Sequence, residues 1–328
     1  MFLKIKKKIS LILLTFIIPF NVLAYSDRII AGGDNIGITL NTDGVLIVGT
    51  YEVEGTSPAK DAGLKNGDTI KSINDSKIST IDEMANKISE ANSVEVTIEY
   101  MRKDSLKKTK LKLYKDENNV YKTGLFVKDS ITGIGTLTFI DPNTKKFGAL
   151  GHEILEQSTG KILEIKDGKI YDSTVKGIIP SSDGQPGEKK AEYNADKVIG
   201  NAKENTTQGI FGDYTNELND KKTYIVASPS EVTKGKAQIL TVLENKEVKE
   251  YDINIIEIMD TKSKNKNFIF EITDEELLEK AGGIVQGMSG SPIIKDDKIL
   301  GAVTHVVVND THKGYGIFIT NMLEEADN

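Results

Sequence analysis

One serine is framed for nucleophilic chemistry. Ser289 stands in the segment Gly287-Met288-Ser289-Gly290-Ser291-Pro292, where flanking glycines allow a sharp backbone turn and a close approach by a substrate carbonyl. A serine that attacks a carbonyl also needs donors for the oxyanion, and we assign that role to the N–H groups of Gly287 and Ser289. A Gly- and Ser-rich turn between two strands is the alternative, and the segment alone does not decide between the two.

A serine nucleophile needs a base, and the chain contains only three histidines, His152, His305 and His312. His152 follows the apolar run Phe147-Gly148-Ala149-Leu150 and Gly151, so we expect it on a loop after a buried strand, a suitable place for a general base. A satisfied surface histidine is the alternative. We expect Gly290, Thr304 and His305 near the site, His305 in a structural role or lining a specificity pocket, and His312 on a solvated loop.

The acid that would orient the histidine is harder to assign. Asp274 precedes Ser289 by a short stretch and is one candidate, but an acidic residue in the first turn of a helix is its simpler role. Spacing does not exclude Asp196, Asp213 or Asp252. The residues therefore predict a serine and a histidine and leave the acid open.

Composition narrows the function classes. The chain has 328 residues, a net charge of −7 and no cysteine, which excludes disulfides and thiolate metal sites and gives no reason to expect nucleic-acid binding. We predict no cofactor and no metal. Residues 1–24 contain four lysines, then an apolar run, then a small residue before a cleavage site, a pattern that is typical of a secretory signal peptide. A retained membrane anchor is the alternative. Either one predicts an exported protein.

Two regions follow with different patterns. Residues 35–115 hold short strand-like runs and one helix, Thr80 to Ala91, whose Thr80 and Glu83 have the spacing of a capping box. Residues 121–328 are rich in short strand-like pieces separated by turns, which predicts an all-β sandwich or barrel. One helix interrupts it from Asp274 to Lys280, where Thr273 and Glu276 have the spacing of a capping box and Gly282 can end the helix. The fold class is therefore mainly β, with an α+β domain in front.

The first region contains four short motifs, Ser57-Pro58-Ala59, Ala62-Gly63-Leu64, Gly67-Asp68 and Ile73-Asn74. With these motifs it resembles the PDZ domains of exported bacterial proteases. The resemblance implies that Gly37, Ile38 and Leu40 belong to a loop that binds a peptide carboxylate, with the peptide added as a strand beside the helix at Thr80. A domain that only spaces the second region from the membrane is the alternative.

The second region contains five distinctive runs of sequence, Gly133 to Phe139, Gly148 to His152, Pro186 to Lys189, Gly282 to Ile293 and Gly301 to Val306. Its Gly-X-Ser-Gly segment resembles that of chymotrypsin-like peptidases. The five runs together resemble, more closely, the stage IV sporulation protein B peptidase family. The resemblance implies a double β-barrel serine endopeptidase in which His152, Asp274 and Ser289 form the catalytic triad.

The family's function follows as an expectation. Its members are exported from the forespore into the space between forespore and mother cell and cleave themselves. They signal by proteolysis of a membrane regulator, which leads to activation of late mother-cell sigma factor processing. The expected partners are protein substrates, the chain itself included, and peptide tails at the PDZ domain. An adaptor that binds membrane-protein tails through the PDZ domain, with the second domain as a scaffold, is the alternative.

Overall fold

The computed structural model describes residues 25–157, 159–182, 184–218, 221–259 and 264–327, and its elements are numbered here in chain order. The strands are β1 (Arg28–Ala31), β2 (Asn35–Thr50), β3 (Thr69–Ile73), β4 (Ser76–Lys77), β5 (Glu95–Arg102), β6 (Ser105–Lys112), β7 (Tyr114–Lys115), β8 (Tyr121–Lys122), β9 (Leu125–Ile140), β10 (Lys146–Ala149), β11 (Leu155–Glu156), β12 (Lys161–Ile162), β13 (Ile165–Ile179), β14 (Gly187–Thr206), β15 (Gly209–Tyr214), β16 (Thr223–Val226), β17 (Gly235–Val242), β18 (Val248–Ile258), β19 (Phe268–Ile272), β20 (Val285–Gln286), β21 (Pro292–Lys295), β22 (Lys298–Val307) and β23 (Asp310–Phe318). The helices are α1 (Pro58–Asp61), α2 (Ile81–Ala91), α3 (Glu275–Ala281) and α4 (Ile319–Ala326), with a 3₁₀ turn at Pro229–Glu231.

The predicted signal peptide at residues 1–24 lies outside the described residues. Within the described part of the chain, none of the helices has the length and apolar character needed to cross a membrane.

Six strands close a first antiparallel barrel. Around it the order is β2, β9, β10, β15, β14, β13 and back to β2. Successive side chains of a strand point to opposite faces, and the alternate residues Ile36, Ile38 and Leu40 of β2 are buried in the barrel core with Phe147 and Ile170. The apolar residues of the alternating sequence pattern thus face the inside of the barrel.

A second antiparallel barrel follows, closed in the order β17, β18, β19, β23, β22, β21 and back to β17. Its core contains the aromatic side chains of Tyr251, Phe268, Phe270 and Phe318. A further apolar cluster joins side chains of both barrels and of α4, so the barrels share a packed interface. The predicted barrel architecture of the second region is confirmed.

The PDZ unit has its own core between α2 and strands β3, β5 and β6. The predicted capping box is confirmed, because Thr80 Oγ1 accepts from Glu83 N and the Glu83 carboxylate accepts from Thr80 N. Asp68 accepts from Lys65 N and forms an ion pair with Arg102, which ties the turn after α1 to the end of β5.

Two long strands run through both the PDZ unit and the first barrel. Residues 36–42 of β2 pair with β13, residues 35–41 pair with β9, and β2 then continues to Val45 and Leu46, which pair with β3. The first half of β9 pairs with the PDZ half of β2, and its second half returns to the barrel. The PDZ unit is therefore inserted into the first barrel, and residues 35–41, where the predicted PDZ domain begins, form hydrogen bonds within that barrel.

The predicted peptide-binding residues require a correction. Gly37, Ile38 and Leu40 are not in a loop: they lie inside the barrel part of β2, which is hydrogen-bonded on both edges. Ile38 and Leu40 are buried in the barrel core, and a Cβ atom on Gly37 would lie 2.4 Å from the ring of Tyr193. Because neighbouring strands already use these backbone groups, the segment has no row of N–H groups left for a peptide carboxylate.

Candidate active site

His152 is placed by a left-handed turn at the end of β10. Leu150 and Gly151 both have positive φ, 69° and 71°, and the Gly151 N–H donates to the Ala149 carbonyl at 2.9 Å. A positive φ is unfavourable for leucine, so packing must hold Leu150 in this conformation. A Cβ atom on Gly151 would lie 3.0 Å from Cγ2 of Thr304, so the glycine lets this turn pack closely against β22 of the second barrel.

The serine segment is a compact turn between β20 and β21. Gly287 and Gly290 have φ values of 96° and 92°, which favour glycine. The turn is held by Met288 N donating to the Val285 carbonyl at 3.1 Å, and by Ser291 N donating to the Met288 carbonyl at 2.9 Å. These bonds fix the backbone on both sides of Ser289.

Two threonines of the first barrel hold the same turn. Thr136 donates through its N–H to the Ser289 carbonyl at 3.0 Å and through Oγ1 to the Gly287 carbonyl at 2.7 Å. Thr138 Oγ1 donates to the Gly290 carbonyl at 2.8 Å. Neither residue is among the predicted site residues, although the alternation of Thr136 and Thr138 on β9 indicates that their side chains share one face.

Ser289 and His152 lie beside two consecutive residues of β22, Thr304 and His305. Ser289 Oγ donates to the Thr304 carbonyl at 3.0 Å, and the rings of His152 and His305 lie 4.9 Å apart at 38°. His152 Nδ1 is 2.7 Å from the Glu153 carbonyl oxygen. A carbonyl oxygen only accepts, so Nδ1 carries the hydrogen and Nε2 is left to take a proton. The structure thus brings together the serine, the histidine and the expected neighbours Gly290, Thr304 and His305.

Burial keeps both imidazoles neutral. Desolvation lowers the pKa of His152 from its usual value, against a smaller opposing effect of the Glu153 carbonyl and carboxylate. Desolvation, followed by the repulsion that a protonated His305 would meet from the His152 ring when that ring is also protonated and from Lys266, lowers the pKa of His305 to about 4. A neutral His152 is the form that accepts a proton from a serine.

Asp274 lies elsewhere in the second barrel. It is the N-cap of α3: its Oδ1 accepts from Leu277 N at 2.9 Å, and its Oδ2 accepts from Asp252 N at 3.3 Å. The predicted helix is present, with Asp274 rather than Thr273 as its cap and Gly282 at its C-terminus.

The two ends of β19 show how far Asp274 is from the serine. The carbonyl of Asn265, before the strand begins, accepts from Thr304 Oγ1 at 3.1 Å, whereas Asp274 follows the other end. At about 3.3 Å per residue, the five residues of β19 alone span roughly 13 Å, and Asn265 and Asp274 lie beyond its two ends. The assignment of Asp274 as the acid is therefore not supported by the geometry, because the folded strand carries this carboxylate away from His152. In the described part of the chain, no cluster of three or more His, Asp or Glu side chains is placed to bind a metal ion.

Comparison with known families agrees with this architecture. The model of the SpoIVB peptidase S55 family matches residues 119–323, more than half of the chain. The chain belongs to the SpoIVB peptidase S55 family. A PDZ domain model matches residues 35–113. Together, the two matches identify the protein as a serine endopeptidase of a sporulation peptidase family that carries a PDZ domain.

Solved structures show more distant similarity. The PDZ domain of the SdrC-like protein Lmo2051 from Listeria monocytogenes is 26% identical, with a TM-score of 0.23, over 27% of this chain and 93% of that chain. The active form of the Rv3671c protease from M. tuberculosis is 14% identical, with a TM-score of 0.35, over 60% of this chain and 74% of that chain. Its inactive form is 13% identical, with a TM-score of 0.34, over 60% of this chain and 85% of that chain. No curated protein sequence matches the chain significantly.

Proposed function

We propose that Ser289 is the nucleophile of this endopeptidase and His152 its general base. The observation that carries the proposal is the meeting of two loops, one from each barrel, at Thr304 and His305. The two barrels share a packed interface and provide a rigid frame for the two residues, since His152 is held by the first barrel and Ser289 by the second. The Glu153 carbonyl takes the place of a carboxylate behind the histidine and fixes its tautomer.

The reaction begins with a change of hydrogen-bond partner. Ser289 Oγ donates to the Thr304 carbonyl in this structure, and a rotation about its χ1 angle turns the hydroxyl toward His152. Nε2 takes the proton as Oγ attacks the peptide carbonyl, and the N–H groups of Gly287 and Ser289 bind the oxyanion. The imidazolium then gives the proton to the leaving amine, and water releases the acyl group by the same steps in reverse order.

We propose the physiological role that the family implies: an exported signalling peptidase of endospore formation that cleaves itself and then a membrane regulator, which leads to late sigma factor processing. The basic and apolar N-terminal segment supports export from the forespore into the intermembrane space, either free or anchored. The PDZ unit supports recognition of peptide tails. The groove proposed for these tails lies between α2 and the first half of β9, where Leu46, Val48, Ile81 and Val127 line a cavity.

The adaptor alternative is favoured by two observations. The Ser289 hydroxyl donates to a carbonyl instead of His152, and Asp274 lies away from the histidine. If the protein is a PDZ adaptor with a scaffold peptidase domain, a strain that carries the His152→Ala variant should sporulate normally. If it is a peptidase, that strain should not. Complementation of a sporulation-deficient strain by this variant separates the two functions.

The nucleophile is tested by covalent labelling of the full chain. A fluorophosphonate probe reacts with an activated serine, forming an Oγ–P bond and releasing fluoride. We expect labelling of the wild type at Ser289, loss of labelling in Ser289→Ala, and unchanged labelling in Ser230→Ala, an exposed serine of the second barrel. Mass spectrometry of self-cleavage products follows the same variants. Fragments of Ser289→Ala that equal those of the wild type would refute the assignment.

A further inference from the structure

A lysine is buried under the serine segment. Lys189 on β14 has no exposed surface, and its Nζ donates to Thr241 Oγ1 at 2.9 Å. Burial alone lowers the pKa of Lys189 to about 7, with no contribution from a carboxylate among the described residues. An amine removed from water without a carboxylate partner costs folding free energy, so Lys189 is an expensive residue for a barrel core.

Lys189 is connected to the serine segment on both sides of the nucleophile, directly at Gly287 and through Thr241 at Ser291. On one side, a Cβ atom on Gly287 would lie 3.2 Å from both Cβ and Cδ of Lys189, so the lysine stem forms the floor under this glycine. On the other side, Thr241 Oγ1 accepts from Ser291 Oγ at 3.1 Å as well as from the lysine. Thr241 and Ser291 are also fully buried, so the hydrogen bonds that link Lys189, Thr241 and Ser291 are shielded from solvent.

The register of the strands explains the placement. Gly187 and Glu188 pair in parallel with Val285 and Gln286, so β14 and β20 advance together and Lys189 arrives directly beside Gly287. β17 brings Thr241 from the second barrel's own sheet. The lysine therefore joins a first-barrel strand to the segment that carries Ser289.

We propose that Lys189 is a positioning residue of the nucleophile segment. It holds Gly287 through its stem and Ser291 through Thr241, which fixes the direction of the N–H groups at Gly287 and Ser289. The proposal rests on the proposed function of Ser289. Misplacing reacting groups by about 1 Å can cost on the order of 100-fold in rate, so loss of this support should be visible in the reactivity of Ser289.

The first measurement uses Lys189→Met, which keeps an unbranched stem and removes the amine. The second-order rate of fluorophosphonate labelling of the full chain should fall by about 10- to 100-fold. The melting temperature should stay the same or rise, because an apolar side chain replaces a buried unpaired amine. A merely structural lysine would show the opposite pattern, a lower melting temperature and an unchanged rate. Lys176→Met on the exposed face of β13 is the control and should change neither quantity.

The second measurement uses Thr241. Thr241→Val removes the hydroxyl that links Lys189 to Ser291, whereas Thr241→Ser retains it, so only the valine variant should lose reactivity. With a peptide substrate, the loss should fall on kcat and leave KM within about twofold, since the substrate pocket is unchanged.

The outcomes separate this proposal from the function on which it rests. A wild type that does not react with the probe overturns the nucleophile assignment, and the role of Lys189 with it. A wild type that reacts, together with Lys189→Met reacting at the same rate, overturns the role of Lys189 alone. Should Lys189→Met fail to fold, equal rates for Thr241→Val and Thr241→Ser overturn it.

Discussion

The role of Asp274 gives the sharpest test of the site. Family resemblance assigns its carboxylate to the triad, whereas in the structure Oδ1 accepts from Leu277 N in the first turn of α3 and Oδ2 accepts from Asp252 N on β18. The two roles make opposite predictions for Asp274→Asn and Asp274→Ala. Asparagine is as good an N-cap as aspartate, but it cannot act as the negatively charged partner of a histidine.

The magnitudes follow from the two roles. As a cap, Asp274→Ala should lower the free energy of unfolding by about 1 kcal/mol. For a domain of this size that corresponds to a melting temperature lower by about 2–4 °C. Asp274→Asn should leave the melting temperature within about 1 °C, because Oδ1 can still accept from Leu277 N. As a triad acid, either variant should lose on the order of 10⁴-fold in kcat.

The assay compares both variants with the wild type by thermal unfolding and by the rate of fluorophosphonate labelling. We expect labelling rates within about twofold of the wild type for Asp274→Asn, and a melting shift confined to Asp274→Ala. A 10⁴-fold loss of labelling in Asp274→Asn, with an unchanged melting temperature, would refute the structural assignment and return the aspartate to the triad.

Two further predictions concern packing and pH. Gly290→Ala places a Cβ atom 2.2 Å from a backbone oxygen of β9 at a φ of 92°, so we expect loss of labelling and a cost of several kcal/mol, measured by denaturant unfolding. Gly55→Ala is the matched control, since Gly55 also has a positive φ, 75°, but no atom within 4 Å, and should cost only about 1 kcal/mol. For His305, the folded pKa of about 4 lies below the usual 6.5, so the unfolded chain binds the proton more readily and stability is lost as pH falls from 6.5 toward 4. His305→Gln should flatten the melting temperature over that pH range, while His312→Gln at an exposed position should not; parallel curves for His305→Gln and the wild type would contradict this.

Some local features were predictable because their causes are short-range. The capping box at Thr80 and Glu83, the left-handed end of α3 at Gly282, and the turn around Ser289 depend on residues only a few positions apart. Alternating apolar residues likewise predicted strands and a barrel, because the side-chain period of a strand is a local property.

The remaining features depend on contacts between residues far apart in the chain. Nothing near Gly37 shows that its strand will be paired on both edges by residues near 134 and 171, which closes the barrel and removes the expected peptide-binding loop. The sequence also places Asp274 close to Ser289, although β19 carries it to the far end of the barrel. A lysine on an alternating strand is expected in solvent, yet Lys189 is buried.

The sequence by itself therefore determined the candidates for the chemistry, a glycine-framed Ser289 and a scarce His152 after a buried strand, and the mainly β framework that carries them. Only the tertiary structure decided which groups surround that pair. It placed a carbonyl of Glu153 behind the histidine, Thr136 on the serine turn and Lys189 beneath it. The physical reason is that chemical types and local periods are written in neighbouring residues, whereas the register of a closed barrel is set by pairings between strands far apart in sequence.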